Sequence, residues 1–487
     1  MNNFLKTYRR DAIIIFCLLL FCFSYFYQVE GWNENSRFNL IFALIEEGHL
    51  EIDNYIDAPA NYTRDVAYNN GHFYSDKAIG PALIGTVIYI PLNWIRQTFS
   101  YPSVHLSKKI ITNLVIGLPS AIVGGLLFIF TYYLSKNRFQ AFWITLSLTL
   151  GTMIFPFSTT FFSHVLTASL LFCGFLMIFY LGETPQKKRK PIFFLIIGFL
   201  FGLALISDFP STFIIIILVI YYFYKVYWTA QNKIFPNILF PIIGAAIPIL
   251  FQLTYNKLCF GGFFSFGYNN EYIASFQDTH SQGVLGITLP DLRALFYMVV
   301  HPSMGLIWQS PFILLTFIGL LPIIKSNRKK PELLFSGLIT GLYIIIMSGA
   351  YNNWWGGAAF GARHIIPVLL FFSIPLSYIP KRSNWILPVL GIISIGQMLL
   401  VTSTSVEIHS QVDWSWSTVN LKFFEYSQIY DYSLKQFVNG NFTNNIGNVI
   451  FGLDSWMSLI PFFIIVTAII CFFFWKNIRL IFHKKAI

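Results

Sequence analysis

Residues 79–95, IGPALIGTVIYIPLNWI, form an apolar run interrupted by Pro81 and Pro91, and whether this run crosses a membrane decides the side of every later segment. The rest of the chain places it in a membrane setting. Of 487 residues, 55% are hydrophobic and 11% charged, with a mean hydropathy of +0.62. A soluble domain is about 25% charged and about 45–50% apolar. Composition therefore excludes a disordered chain, a disulfide-rich secreted scaffold and an ordinary cytosolic enzyme. At about 20 residues per span, the runs at 11–28, 110–134, 141–162, 165–182, 191–207, 211–228, 238–255, 304–324, 333–350, 365–380, 385–404 and 456–475 suit membrane crossing. The expected fold class is an all-α polytopic membrane protein with about 12 transmembrane helices.

Charge decides the status of 79–95. If it does not cross and the N-terminus is cytoplasmic, the cytoplasmic segments hold 21 of the 32 Lys/Arg and three of the 21 Asp/Glu. The outer segments then hold 11 Lys/Arg and 18 Asp/Glu. The basic clusters at Lys187–Lys190, Lys325–Lys330, Lys381/Arg382 and Lys484 all fall inside, as retention of basic loops requires. A crossing would reverse them, so 79–95 is read as a helix lying at the outer membrane surface or dipping into it. The net charge of +11 is then a cytoplasmic excess, and no nucleic-acid partner is implied. Both termini are expected in the cytoplasm, the first helix being uncleaved because no small-residue cleavage site follows it.

This topology divides the chain into 1–28 (N-terminus and first span), an outer loop 29–109, a transmembrane core 110–404 with outer loops 256–302 and 351–364, an outer loop 405–455, and a last span with basic tail, 456–487. The first loop is long for a compact bundle, which marks it as functional. Phe38, Ile41, Phe42 and Ile45 give 36–47 a helical apolar stripe. DVAYNNGHFYS (65–75) reads as a β-hairpin turning on Asn70-Gly71. Cys17, Cys22, Cys173 and Cys471 sit in apolar runs and Cys259 in a loop, without metal or disulfide spacing.

Several outer residues can carry chemistry. Glu34 follows the first span in GWNENSRF, with Arg37 one turn on, so the pair can hold one another and keep the acid ionised as a base. Asp76-Lys77 precedes the interfacial helix, where a cation beside free helix N–H groups suits phosphate. His164 and Asp208 occupy two outer turns, and each is as readily turn chemistry as a site residue. The stretch YNNWWGGAAFGARH (351–364) exceeds an aromatic belt: its glycines admit close backbone approach, and Arg363 can bind a lipid-linked phosphate bidentately. Tyr268, in a Gly-aromatic loop, can stack on a sugar. Walker, zinc and G-x-S-x-G patterns are absent from the sequence.

Taken in order, these segments resemble the GT-C superfamily of integral-membrane glycosyltransferases, in the branch of bacterial relatives of protein O-mannosyltransferase and of the lipid A aminoarabinose transferase. The resemblance is strongest over 30–96 and 351–367. Glu34 stands for the family's acid after the first span, Arg37 for its juxtamembrane arginine and Lys77-Ala78-Ile79 for its K-P-P motif. NWWGG-x-x-FGARH looks like the W-G-G-x-x-x-G-x-R segment of bacterial members. Two departures stand out: the acid is Glu-Asn where the family often has Asp-Glu, and His164 occupies the place of an aspartate at the outer end of the third span.

The resemblance implies a GT-C-like fold with juxtamembrane helices in the first outer loop. It implies inverting transfer of a hexosyl or pentosyl group from a polyprenyl-phosphate sugar, on the outer face of a bacterial inner membrane. Glu34 would be the base, with Asp65, Asp208 or His164 in the second acid's place. Arg37, Arg64, Lys77 and Arg363 would hold the donor phosphate, and Tyr268, Trp354, Trp355 and His364 the sugar or acceptor. The implied partners are membrane lipid, the donor, and an acceptor that is lipid, glycan or protein; no cofactor or metal is implied. A lipid-linked saccharide flippase and an O-antigen ligase or polymerase are the competing readings.

Overall fold

The structure is a computed structural model describing residues 2–185, 188–227, 234–326, 330–350, 353–408 and 419–484. Lys187, Arg328, Lys329, Tyr351, Asn352 and residues 409–418, which figure in the sequence reading, lie outside the described residues.

The chain is mostly helical. Among the described residues, six helices are long and apolar enough to cross a membrane: Val104–Ser135, Ser163–Glu183, Phe209–Val226, Asn237–Phe260, Ile386–Thr404 and Ser455–Trp475. Four shorter apolar helices, Pro191–Leu205, Pro311–Pro322, Pro331–Met347 and Arg363–Leu376, accompany them. Length and composition of the described helices thus do not confirm the expected twelve, in part for local reasons. The run 141–162 breaks after Leu150 at Gly151, and 365–380 begins as a 3₁₀ turn containing Pro367. Outward faces carry Ile216, Ile220, Ile242, Leu250, Ile392 and Ile464, each more than half exposed, a surface suited to lipid rather than water.

Glycine sets one helix crossing. Pro191–Leu205 lies so close to Ile234–Phe260 that a Cβ on Gly198 would sit 1.8 Å from the Pro241 carbonyl oxygen, and one on Gly244 2.0 Å from that of Leu195. Small residues at such contacts replace the hydrophobic drive that lipid does not supply. The same helix runs on to Phe260 and buries Cys259, correcting its expected place in a loop.

The deciding stretch 79–95 lies in a 20-residue helix, Gly80–Phe99, which is not among the six long apolar ones. Pro81 falls in its first turn, where a missing N–H costs nothing. Gly85 and Tyr89 face inward while Val87, Ile90 and Trp94 are exposed. The first loop is built as its pattern foretells. The apolar stripe becomes the helix Trp32–Phe42 with a further turn, Ala43–Glu47, burying Phe38, Ile41 and Phe42. Ala67–Asn69 pairs antiparallel with His72–Tyr74 through Asn70 (φ 52°) and Gly71 (φ 91°), the left-handed pair a type I′ turn demands. Lys108, buried in the helix Val104–Ser135, donates to Asn35 Oδ1 at 2.7 Å and to the Ala60 carbonyl, fixing this loop on the bundle. The late outer segment returns to the same place: Asn444–Asn445 pairs with Phe26–Tyr27 at the end of the first helix.

Candidate active site

A cavity of about 780 Å³ opens where the Trp32–Phe42 helix, the hairpin, the loop around Tyr268 and the 353–364 segment converge. Its wall includes Arg37, Asp65, Lys77, His164, Asp208 and Arg363, six of the residues singled out from sequence. Tyr268, Trp355 and His364 line it too.

Lys77 is its electrostatic centre. The buried ammonium lies 2.6 Å from Asp65 Oδ1 and 2.6 Å from Asp76 Oδ2, so among the described residues two of its three N–H bonds are committed and one remains. The hairpin makes this possible by folding Asp65 back over the twelve residues that separate it from Lys77. Burial alone would raise the Asp65 carboxyl, but Lys77, with Arg37 and Arg363 beyond, holds it below its ordinary range. Asp76 goes the other way. Its side chain is wholly buried, and desolvation with the charges of Asp65 and Glu271 outweighs Lys77 and raises it. Lys77 itself is raised, its two carboxylates overcoming burial. Oxygens of Asp65, Asp76 and Glu271 lie within 4.8 Å of one another and are the described group that could hold a metal ion; Lys77 supplies the positive charge between two of them. The expected free helix N–H groups beside Lys77 are partly taken: Gly80 N–H donates to the Ile206 carbonyl and Ile79 N–H to Gln252 Oε1.

Glu34 sits differently from its expected place. It is 1% exposed and lies behind the wall rather than on it. As the third residue of the Trp32–Phe42 helix it reaches back to Gly31 N–H at 3.2 Å, a helix-capping contact. Arg37 likewise turns back, donating to the carbonyl and side-chain oxygens of Asn33. The expected Glu34–Arg37 ion pair is therefore absent among the described residues, because each group finds a nearer partner in its own turn. Burial and the neighbouring Glu407 push the Glu34 carboxyl up to about 8, against its own backbone N–H and Arg363.

His164 Nδ1 lies 3.0 Å from Asp208 Oδ2, with both side chains buried, so the two turn residues form one pair. His364 meets the His164 ring edge-on at 5.2 Å. Arg363 stacks its guanidinium on Phe162 at 4.4 Å, and its Nε is buried without a hydrogen-bond partner among the described residues. Gly356, at φ 90°, makes room for it: a Cβ there would lie 2.8 Å from Arg363 Cγ. Tyr268 stacks on His280 at 4.3 Å, and His280 Nδ1 is 2.8 Å from Glu271 Oε2.

Two expected ligand residues fall elsewhere. Arg64 is drawn to Asp57 at 2.5 Å and packs over Tyr62, off the cavity wall. Trp354 is fully buried against Tyr297 and Trp355, so of the tryptophan pair only Trp355 reaches the cavity. The wall also holds Glu30, His280 and Glu407, which sequence patterns did not single out; His280 and Glu407 enter from distant loops.

Comparison with known proteins yields a loose structural likeness. Two solved structures resemble this one. Both are crystal structures of ArnT from Cupriavidus metallidurans, one bound to undecaprenyl phosphate and one in the apo state, each 11% identical in sequence. The first aligns over 81% of this chain and 65% of that one with a TM-score of 0.47. The second aligns over 84% and 64% with a TM-score of 0.44. The chain thus spans just under two thirds of their length. No family model and no curated protein matches it.

Proposed function

We propose that this protein is a membrane glycosyltransferase of the GT-C type that moves a hexosyl or pentosyl group from a polyprenyl-phosphate sugar to an acceptor hydroxyl at the outer face of a bacterial inner membrane. The observation that carries the reading is the two-signed cavity. Arg37, Lys77 and Arg363 converge on the space that the carboxylates of Asp65, Asp208, Glu30 and Glu407 also border, at one end of an apolar helical bundle.

Each part has a role in an inverting displacement. The acceptor oxygen attacks the anomeric carbon, the bond from that carbon to the phosphate oxygen breaks, and its electron pair leaves with the phosphate. Cations fixed in a buried site stabilise that developing charge without reorganising. Arg363 offers a planar fork matched to phosphate, and Lys77 offers its one uncommitted N–H. The acceptor proton goes to the carboxyl pair formed by Glu34, the base expected from sequence, and the cavity-lining Glu407 beside it. His364, Trp355 and Tyr268 present flat or hydrogen-bonding surfaces to the sugar or acceptor.

The test uses the full chain in lipid nanodiscs. A panel of polyprenyl-phosphate hexoses and pentoses is presented with a bacterial envelope extract as acceptor, and mass spectrometry follows release of polyprenyl phosphate. Undecaprenyl phosphate, the lipid named with one of the similar structures, serves as the binding probe. Release together with weakened probe binding in Arg363→Gln supports the reading. Absence of any sugar transfer, with the probe bound no better than a neutral polyprenol, refutes it.

A further inference from the structure

Gly31 is extended, at φ −91° and ψ −171°, a conformation open to any residue. What forbids a side chain there is Glu407: a Cβ on Gly31 would lie 1.7 Å from its Oε1 and 2.4 Å from its Cδ. The Gly31 N–H meanwhile donates to Glu34 Oε2. One small residue therefore has two carboxyl groups against it, Glu34 in the helix cap and Glu407 from a segment 373 positions later in the chain.

The placement of Glu407 is built rather than incidental. Val406 N–H donates to Gln28 Oε1 at 3.3 Å, and Gln28 Nε2 donates to the Thr402 carbonyl at 2.7 Å, tying this segment to the end of the first helix. Phe360 N–H donates to the Val406 carbonyl at 2.9 Å, tying it to the loop that carries Arg363. Glu407 lines the cavity, whereas Glu34 stands behind the wall.

We propose that the proton acceptor of the site is a carboxyl pair, with Glu407 the catalytic member that meets the acceptor hydroxyl and Glu34 the positioning member behind it. The proposal rests on the glycosyl-transfer reading and assigns its base. In the step, the acceptor proton moves to the Glu407 carboxylate as the acceptor oxygen bonds to the sugar carbon. The carbon–phosphate-oxygen bond breaks, its electrons leave on the phosphate, and the added proton later passes to water. Two close carboxyls resist being ionised together, so each makes the other a stronger base. The groups facing Glu34 agree with this: Glu407 and Glu30 favour its proton, while Arg363 opposes it, and Arg37 and Lys108 also lie within its field.

Infrared spectroscopy of the full chain in nanodiscs, titrated with alkali, reads the pair directly through the buried carboxylic-acid band. Glu407→Gln should move the midpoint of the Glu34 band down by about one pH unit or more, and Gly31→Ala, which evicts the Glu407 carboxyl, should do the same. An unmoved midpoint in both overturns the pairing. In the transfer assay, Glu407→Gln should lower turnover about 100-fold or more while undecaprenyl phosphate binds as to the native chain. Turnover retained, or probe binding lost in parallel, overturns the catalytic role. A chain that transfers no sugar but still shows the shifted band would sink the transferase reading and leave the pair standing.

Discussion

Replacing Lys77 with Met tests the electrostatic centre of the cavity. The ammonium is 8% exposed at its side chain and neutralises two carboxylates at 2.6 Å. Met keeps the apolar stem and strands both acids, and losing one partner of a buried pair costs about 3–5 kcal/mol. Arg37 and Arg363, which also act on Asp65, place the expected loss toward the lower end. The sign of the Asp65 contribution to the pH dependence reverses. In the native chain Asp65 is held below its ordinary value, so its contribution is present above the unfolded value, about 3.9, and is lost as pH falls through the lower folded value. Without Lys77, burial raises Asp65 and lifts the already raised Asp76 further, the folded state binds more protons than the unfolded one, and stability declines as pH rises. Thermal unfolding in detergent micelles at pH 5 and pH 8 checks this. Lys77→Met should be clearly destabilised at pH 8 and largely recovered at pH 5, with Lys77→Arg and the double variant Lys77→Met/Asp65→Asn milder than Lys77→Met at pH 8. A Lys77→Met variant as stable as the native chain at pH 8, or one equally weakened at both pH values, would refute the reasoning.

Gly198→Leu should break the helix crossing at Pro241 and cost about 1–3 kcal/mol or more, visible as a lower thermal midpoint; an unchanged midpoint would show that the crossing yields. Trp354→Ala should cost about 3–5 kcal/mol of stability with little direct effect on undecaprenyl phosphate binding, whereas Trp355→Ala should alter sugar transfer more than stability. Asp208→Asn removes the charge that holds His164 and should lower transfer about tenfold or more with probe binding unchanged; equal loss of both would make the pair a packing element. Arg363→Lys keeps the charge and loses the planar fork, so probe binding should fall by about 1–2 kcal/mol, measured by lipid titration; full binding would mean that charge alone suffices.

Residues close in sequence were legible where a short-range rule governs them. The hairpin turn was written in Asn70-Gly71, and with the turn came the return of Asp65 to Lys77. His164 and Asp208 were visible singly as polar turn residues, but their pairing depends on how Ser163–Glu183 packs beside Pro191–Leu205, which sequence periodicity does not fix. Trp354 and Trp355 show the limit at its narrowest. Adjacent identical residues must point different ways, and the irregular backbone at Gly356 and Gly357 hides which one faces inward. Arg64 failed for the opposite reason, since Asp57, seven residues away, offers it a partner outside the cavity.

Glu34 joins these two cases. The spacing of Gly31 and Glu34 is that of a helix cap, and a carboxyl that closes its own helix is held behind the wall by the same bond that positions it. On the proposed reading, the acceptor is met by a carboxyl group that the local chain does not contain. The chain supplies one from position 407, pinned by Gln28 and Phe360 against the glycine that begins the cap. On the proposed reading, the first outer loop supplies Arg37, Asp65 and Lys77 to the donor-phosphate half of the cavity, and the 353–364 segment adds Arg363. On the same reading, the acceptor half is completed only when the segment after Ile386–Thr404 folds back onto the end of the first helix, where Gln28 holds Thr402 and Val406 and Glu407 lies against Gly31.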